Sequence, residues 1–283
     1  MLDIILDALL DTAKLLPFLF LTYLLLELIE HKAAEKTAAL AAKAGKFGPA
    51  AGGLLGALPQ CGFSASAANL YAGGVISAGT LIAIFISTSD EMLPIMISER
   101  IALPRILAIL GIKVACGIAV GFLVDFLRRF YKKANRKEQI AHLCKEENCH
   151  CENGIFLSSL IHTAQIALFI FIFSLLIGTA IHFIGEENLA AFTANAGVFT
   201  PLLAGLVGLI PNCASSVVLT QLFLSGVIST GALLAGLIAN SGVGLLILFR
   251  VHKNWKSNLC IAATIYGAGI LVGILFDLIG IVI

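Results

Sequence analysis

Charge is scarce in this chain. Asp, Glu, Lys and Arg supply 12% of its 283 residues against 59% apolar ones, and the mean hydropathy is +1.00. That balance excludes an ordinary soluble domain and describes a polytopic membrane protein. The net charge is only +1, and the Lys and Arg residues sit in connecting segments instead of forming a basic face, which excludes a nucleic-acid partner. No G-x-x-x-x-G-K-[ST] stretch occurs, so the chain alone is no P-loop ATPase. The opening MLDIILDALLDTAK lacks the basic n-region and small-residue cleavage site of a signal peptide and is expected to begin the first helix. A disulfide scaffold is excluded too: Cys61, Cys116, Cys213 and Cys260 fall in apolar runs, while Cys144, Cys149 and Cys151 crowd into one loop. Thiols or ligands are expected instead.

What the chain does have is a second copy of itself. Residues 56–89 (GALPQCGFSASAANLYAGGVISAGTLIAIFISTS) align without a gap on 208–241 (GLIPNCASSVVLTQLFLSGVISTGALLAGLIANS), with 14 of 34 positions identical. Pro59/Pro211, Cys61/Cys213, Ser64/Ser216, Ser77/Ser229, Gly79/Gly231 and Ser89/Ser241 are among the identities. The same offset of 152 pairs GIAVGFLVDFL (117–127) with GILVGILFDLI (269–279), and an offset of 151 pairs 9–21 with 160–172. Registered Pro, Cys, Ser and Asp point to duplication and not to coincidence among apolar residues.

Each half reads as a long apolar helix (4–30 and 155–184), two short pieces around a Pro-Gln-Cys or Pro-Asn-Cys break, a helix of spanning length (78–98 and 230–249) and another (103–127 and 258–280). The pieces at 48–58 and 61–73 are shorter than the roughly 20 residues that cross a bilayer, so they form either one broken span or a hairpin. Charge separates the two. A hairpin places 31–47, 128–154 and 250–257 on one side with 14 of the 18 Lys and Arg, which marks that side as cytoplasmic. It also gives each half an odd number of crossings, so the second half is inverted.

The expected fold is therefore an all-α polytopic membrane protein of two inverted-topology repeats, each with a Pro-broken helical hairpin, about ten membrane helical segments in all. Its parts are a first transmembrane repeat (1–130), a cytoplasmic Cys/His loop (131–154) and a second, inverted repeat (155–283). The expected location is the inner (plasma) membrane, multi-pass, with the basic loops cytoplasmic.

Polar residues gather at the breaks. Gln60 and Asn212 are amides, Cys61 and Cys213 thiols, and Ser64 and Ser216 follow one turn on. Amide, thiol and hydroxyl together suit a soft or borderline cation; tight turns and close packing of small residues are the alternative. A second group is Ser89, Asp90 and Glu91 in STSDE, matched by Asn240 and Ser241 in ANSGV without the acids. Carboxylates within a span usually line an ion or proton pathway; a short external loop would leave them solvated. Lys113 is a candidate ion-pair partner for those acids or a receptor for an anion. Asp11 and His162 hold equivalent places in the two first helices, where a His could relay protons unless helix-end water reaches it. Asp125 and Asp277 also match, with a structural role expected. His142, Cys144, Cys149, His150 and Cys151 lie within ten residues, a density suited to Zn²⁺ although the spacing matches no standard finger.

Four stretches carry a family resemblance: LPQCGFSASAANLYAGGVISAGTL, STSDEMLPI, CHCENGI followed by His162-Thr163, and IPNCASSVVLTQLFLSGVIS. Together they resemble the ten-helix heavy-metal exporter family of bacteria and archaea, whose members are labelled arsenic efflux or manganese transporter proteins. The resemblance covers nearly the whole chain and implies export of a metal or metalloid.

The expected function is a secondary transporter, not an enzyme, that exports a divalent heavy-metal cation or metalloid by proton or ion exchange. Its partners are that ion and the lipid bilayer, with a homo-oligomer left open. It needs no cofactor; a transition metal such as Zn, Mn or Fe enters as substrate or as loop ligand. Two alternatives stand beside this reading: a small-anion transporter using Lys113 and half-helix N-termini, and an intramembrane enzyme with Cys61 or Cys213 as nucleophile.

Overall fold

The structure, a computed structural model, describes residues 47–58, 61–89, 92–131, 155–184 and 199–280, with scattered positions between 9 and 24. The helices are α1 (Gly48–Gly56), α2 (Cys61–Ala72), α3 (Ala78–Ser87), α4 (Met92–Ser98), α5 (Leu103–Tyr131), α6 (Ile155–Ile184), α7 (Thr200–Gly208), α8 (Cys213–Leu224), α9 (Thr230–Ala239), α10 (Gly244–Val251) and α11 (Trp255–Ile279). No strand occurs among the described residues. The starts of α1 to α5 recur, each 152 positions later, as the starts of α7 to α11.

Among the described residues four stretches are long and apolar enough to cross a membrane: Ala78–Ser98, Leu103–Arg128, Thr230–Val251 and Trp255–Ile279. The chain is thus an all-helical membrane protein. The first and third stretches differ from the continuous helices expected over 78–98 and 230–249, because each is two helices end to end. The first is interrupted between Ser87 and Met92, the third between Ala239 and Gly244. In the second break Gly242 takes a positive φ of 54°, which an L side chain rarely adopts, and its N–H donates to the Asn240 side chain at 2.9 Å. The Asn and the Gly together turn the chain where hydropathy alone would continue the helix.

Sequence also sets where the helices begin. Pro49 and Pro201 stand in the first turns of α1 and α7, where a missing N–H costs nothing. Ser77 and Ser229 cap α3 and α9 by accepting from the N–H groups of Thr80 and Ala232. Each capping serine also donates to a carboxylate from the long helix beside it: Ser77 to Asp125 at 2.6 Å and Ser229 to Asp277 at 3.0 Å. The other carboxylate oxygens accept from Gly79 N–H (2.9 Å) and Gly231 N–H (3.1 Å). The matched aspartates therefore have the structural role their pairing suggested.

Glycine allows these helices to touch backbone to backbone, as small residues do in membrane bundles. A Cβ at Gly79 would meet the Gly121 carbonyl oxygen and the Asp125 carboxylate; at Gly231 it would meet their counterparts, Gly273 and Asp277. Around these contacts α3 and α9 are buried along their whole length.

Contacts also fix which ends lie together. Gly48, at the start of α1, lies on Thr80, and Pro49 lies on Gly121. Tyr71, near the end of α2, accepts from Arg128 at 3.2 Å. So α1 begins and α2 ends at the same end of the bundle, and Ala57 and Cys61 face the other way, at the tip of a hairpin. Arg128 also donates to Ser257 at 3.4 Å, which brings the end of α5 to the start of α11.

Replacing Asp125 by Ala removes the acceptor of two hydrogen bonds and is expected to cost on the order of 2 kcal/mol, with a smaller loss at the more exposed Asp277. The melting temperature of the purified protein in detergent reads this out. Wild-type melting of Asp125→Ala would show that the carboxylate contributes nothing.

Candidate functional site

The interrupted helices define the site, because each break frees backbone groups at the depth of the span. In the first half two interruptions meet. Ser89 donates its hydroxyl to the carbonyl of Ala57 at 2.9 Å, joining the α3–α4 break to the tip of the α1–α2 hairpin. The hydroxyl of Thr88 turns back to Ile84 O at 2.8 Å. Lys113, 1% exposed on α5, donates its ammonium to the main-chain carbonyl of Thr88. An ammonium so buried is stable only where carbonyls or charges replace its water.

In the second half Asn212 is the N-cap of α8 and accepts from Ala214 N–H at 3.3 Å. Ser215 donates to Asn212 O and Ser216 to Cys213 O, both at 2.8 Å, so these hydroxyls close the first turn of α8 on itself. Cys213, Asn240 and Ser241 are buried. Asn212, Ser215 and Ser216 all lie at the start of α8, where short polar side chains that compete for backbone groups suit caps and not helix interiors.

The halves meet at Ser64 and Gly244. Ser64, fully buried one turn into α2, lies so close to Gly244 at the start of α10 that a Cβ there would meet Ser64 at 2.8 Å and the ring of Phe85 at 2.8 Å. The helix start behind the second break is thus seated on the helix start behind the first hairpin tip. α8 packs on α4 in the reciprocal pairing.

The remaining candidates divide as follows. Cys61 begins α2 and His162 lies in α6, both without a described side chain. Gln60, Asp90, Glu91, Asp11 and the loop residues His142, Cys144, Cys149, His150 and Cys151 lie outside the described residues. No group of three or more His, Cys, Asp or Glu that could hold a metal occurs among the described residues. Three participants were not singled out from sequence: the carbonyls of Ala57 and Thr88, and Gly244. Only the last carried a signal, since Ser241-Gly242 is a turn dipeptide inside an apolar run; backbone carbonyls carry none.

A family described as "Putative, 10TM heavy-metal exporter" matches residues 1–184 and, in a second segment, 138–276. No curated protein and no solved structure matches the chain. With those two segments reaching from residue 1 to residue 276, over apolar helices broken at the depth of the span, the chain belongs to the ten-helix heavy-metal exporter family.

Proposed function

We propose that the protein is a secondary transporter that exports a divalent heavy-metal cation or a metalloid across the inner membrane by proton or ion exchange, without catalysis. The observation that carries this reading is the meeting of the two halves at Ser64 and Gly244, where the helix start behind the second break packs on the helix start behind the first hairpin tip. Irregular backbone at membrane depth persists only where protein buries it or a watery cavity receives it, and transporters place substrate at such a junction.

In this reading Asp90 and Glu91 bind the cation and take up protons when it leaves. Gln60, Cys61, Ser64, Asn212, Cys213 and Ser216 complete the shell, and rocking of one half against the other alternates access. The halves differ in sequence here: the positions matching Asp90 and Glu91 are Gly242 and Val243, and that matching Lys113 is Ile265. The acids belong to the first half alone, as expected of a site that neutralises a cation there and only shapes it in the second.

The two halves are proposed to be inverted. The end of α5 touches the start of α11, although α5 and α11 are equivalent helices; copies in the same orientation would bring end to end. The basic segments at 128–154 and 250–257 then share the cytoplasmic face.

Two measurements test these statements. Asp90→Asn with Glu91→Gln is expected to reduce metal transport in inside-out vesicles at least tenfold; unchanged transport of every metal and faster oxyanion flux would favour an anion carrier instead. Val75→Cys and Val227→Cys, in equivalent turns, are expected to react with a membrane-impermeant maleimide from opposite sides, Val75→Cys from the cytoplasmic one. Labelling from one side alone would show that the repeats are parallel.

A further inference from the structure

The buried ammonium of Lys113 ends on a carbonyl that closes a broken helix, and that placement implies more than charge balance. Thr88 is the C-cap of α3: its N–H donates to Ile84 O and Phe85 O, and its carbonyl accepts from the Lys113 ammonium. The C-terminal end of a helix concentrates unbonded carbonyls and the negative end of the helix dipole, so it binds cations. In transporters built on broken helices, half-helix ends and unwound carbonyls of this kind coordinate the coupling ion. An ammonium accepts the same carbonyl ligands as a small dehydrated monovalent cation.

The second half shows what the same break looks like without a cation. Ile265 stands where Lys113 does, fully buried, and the break closes on itself through Asn240 and the positive-φ Gly242. In the first break Thr88 stands at the position of Asn240, and an acidic residue at that of Gly242. Its carbonyl end is served from α5 instead.

We infer that the Lys113 ammonium is a tethered monovalent cation resident in the first break, held at the position where a dissociable ion would otherwise bind to the end of α3. The consequence, that export requires neither sodium nor potassium at this position, rests on the proposed function; the occupancy itself does not.

The experiment is a melting series on the purified full chain in lipid nanodiscs, in choline, sodium, potassium or propylammonium chloride at matched ionic strength. The wild type is expected to melt at the same temperature in all four salts. Lys113→Ala is expected to melt about 5–10 °C lower in choline and to recover, saturably, in propylammonium or sodium. Lys113→Met keeps the side-chain volume and separates charge from packing; it is expected to show the choline deficit as well. Wild-type melting of Lys113→Met in choline would overturn the proposal, and so would a deficit in Lys113→Ala that none of the cations reduces. Sodium-independent export in wild-type vesicles tests the consequence alone. Vesicles that move no metal would count against the proposed transport and leave the melting series to decide the role of Lys113.

Discussion

Inside a lipid bilayer no water is present to take up a free backbone N–H or C=O, and the rest of this structure follows from that constraint. An unbroken helix meets it without help. This chain breaks its helices inside apolar runs and must therefore supply a partner at each interruption. The partners are short and local where possible: Asn212 caps α8, Asn240 takes the N–H of Gly242, and Ser215 and Ser216 return their hydroxyls to nearby carbonyls. Where local partners fail they come from a distance, as Ser89 reaches Ala57 and Lys113 reaches Thr88.

The same constraint explains how the bundle is assembled. Short half-helices cannot hold position through their own length, so they are held by close backbone contact and by carboxylates that grip helix starts. Gly79 on Gly121 with Asp125, and Gly231 on Gly273 with Asp277, are one device used twice. In lipid, where apolar contact between helices gains little over contact with acyl chains, packing of small residues and interhelical hydrogen bonds supply the cohesion. These rigid units leave the breaks as the places where structure and chemistry depart from regularity.

Duplication with divergence then makes a site out of a scaffold. Both halves keep the proline, the cysteine and the capping serines, and those serines serve backbone geometry. They differ at the break that follows: one closes through Asn240 and Gly242, while the other receives Lys113 from the neighbouring helix.

The sequence by itself determined the class and the period. Low charge, apolar runs and identities at an offset of 152 predicted helices, repeats and the Pro-linked short pieces, and α1, α2, α7 and α8 follow those bounds within a few residues. Period and hydropathy are local properties, so they survive reading residue by residue. The interruptions at 88–91 and 240–243 were hidden because a hydropathy average over a span does not register a turn. Only the tertiary structure decided that Ser89 meets Ala57, that Gly244 seats on Ser64 and that the Lys113 ammonium ends on Thr88. Each of these joins residues far apart in the chain, and two of the partners are main-chain carbonyls, which every residue has and which no side-chain pattern can mark.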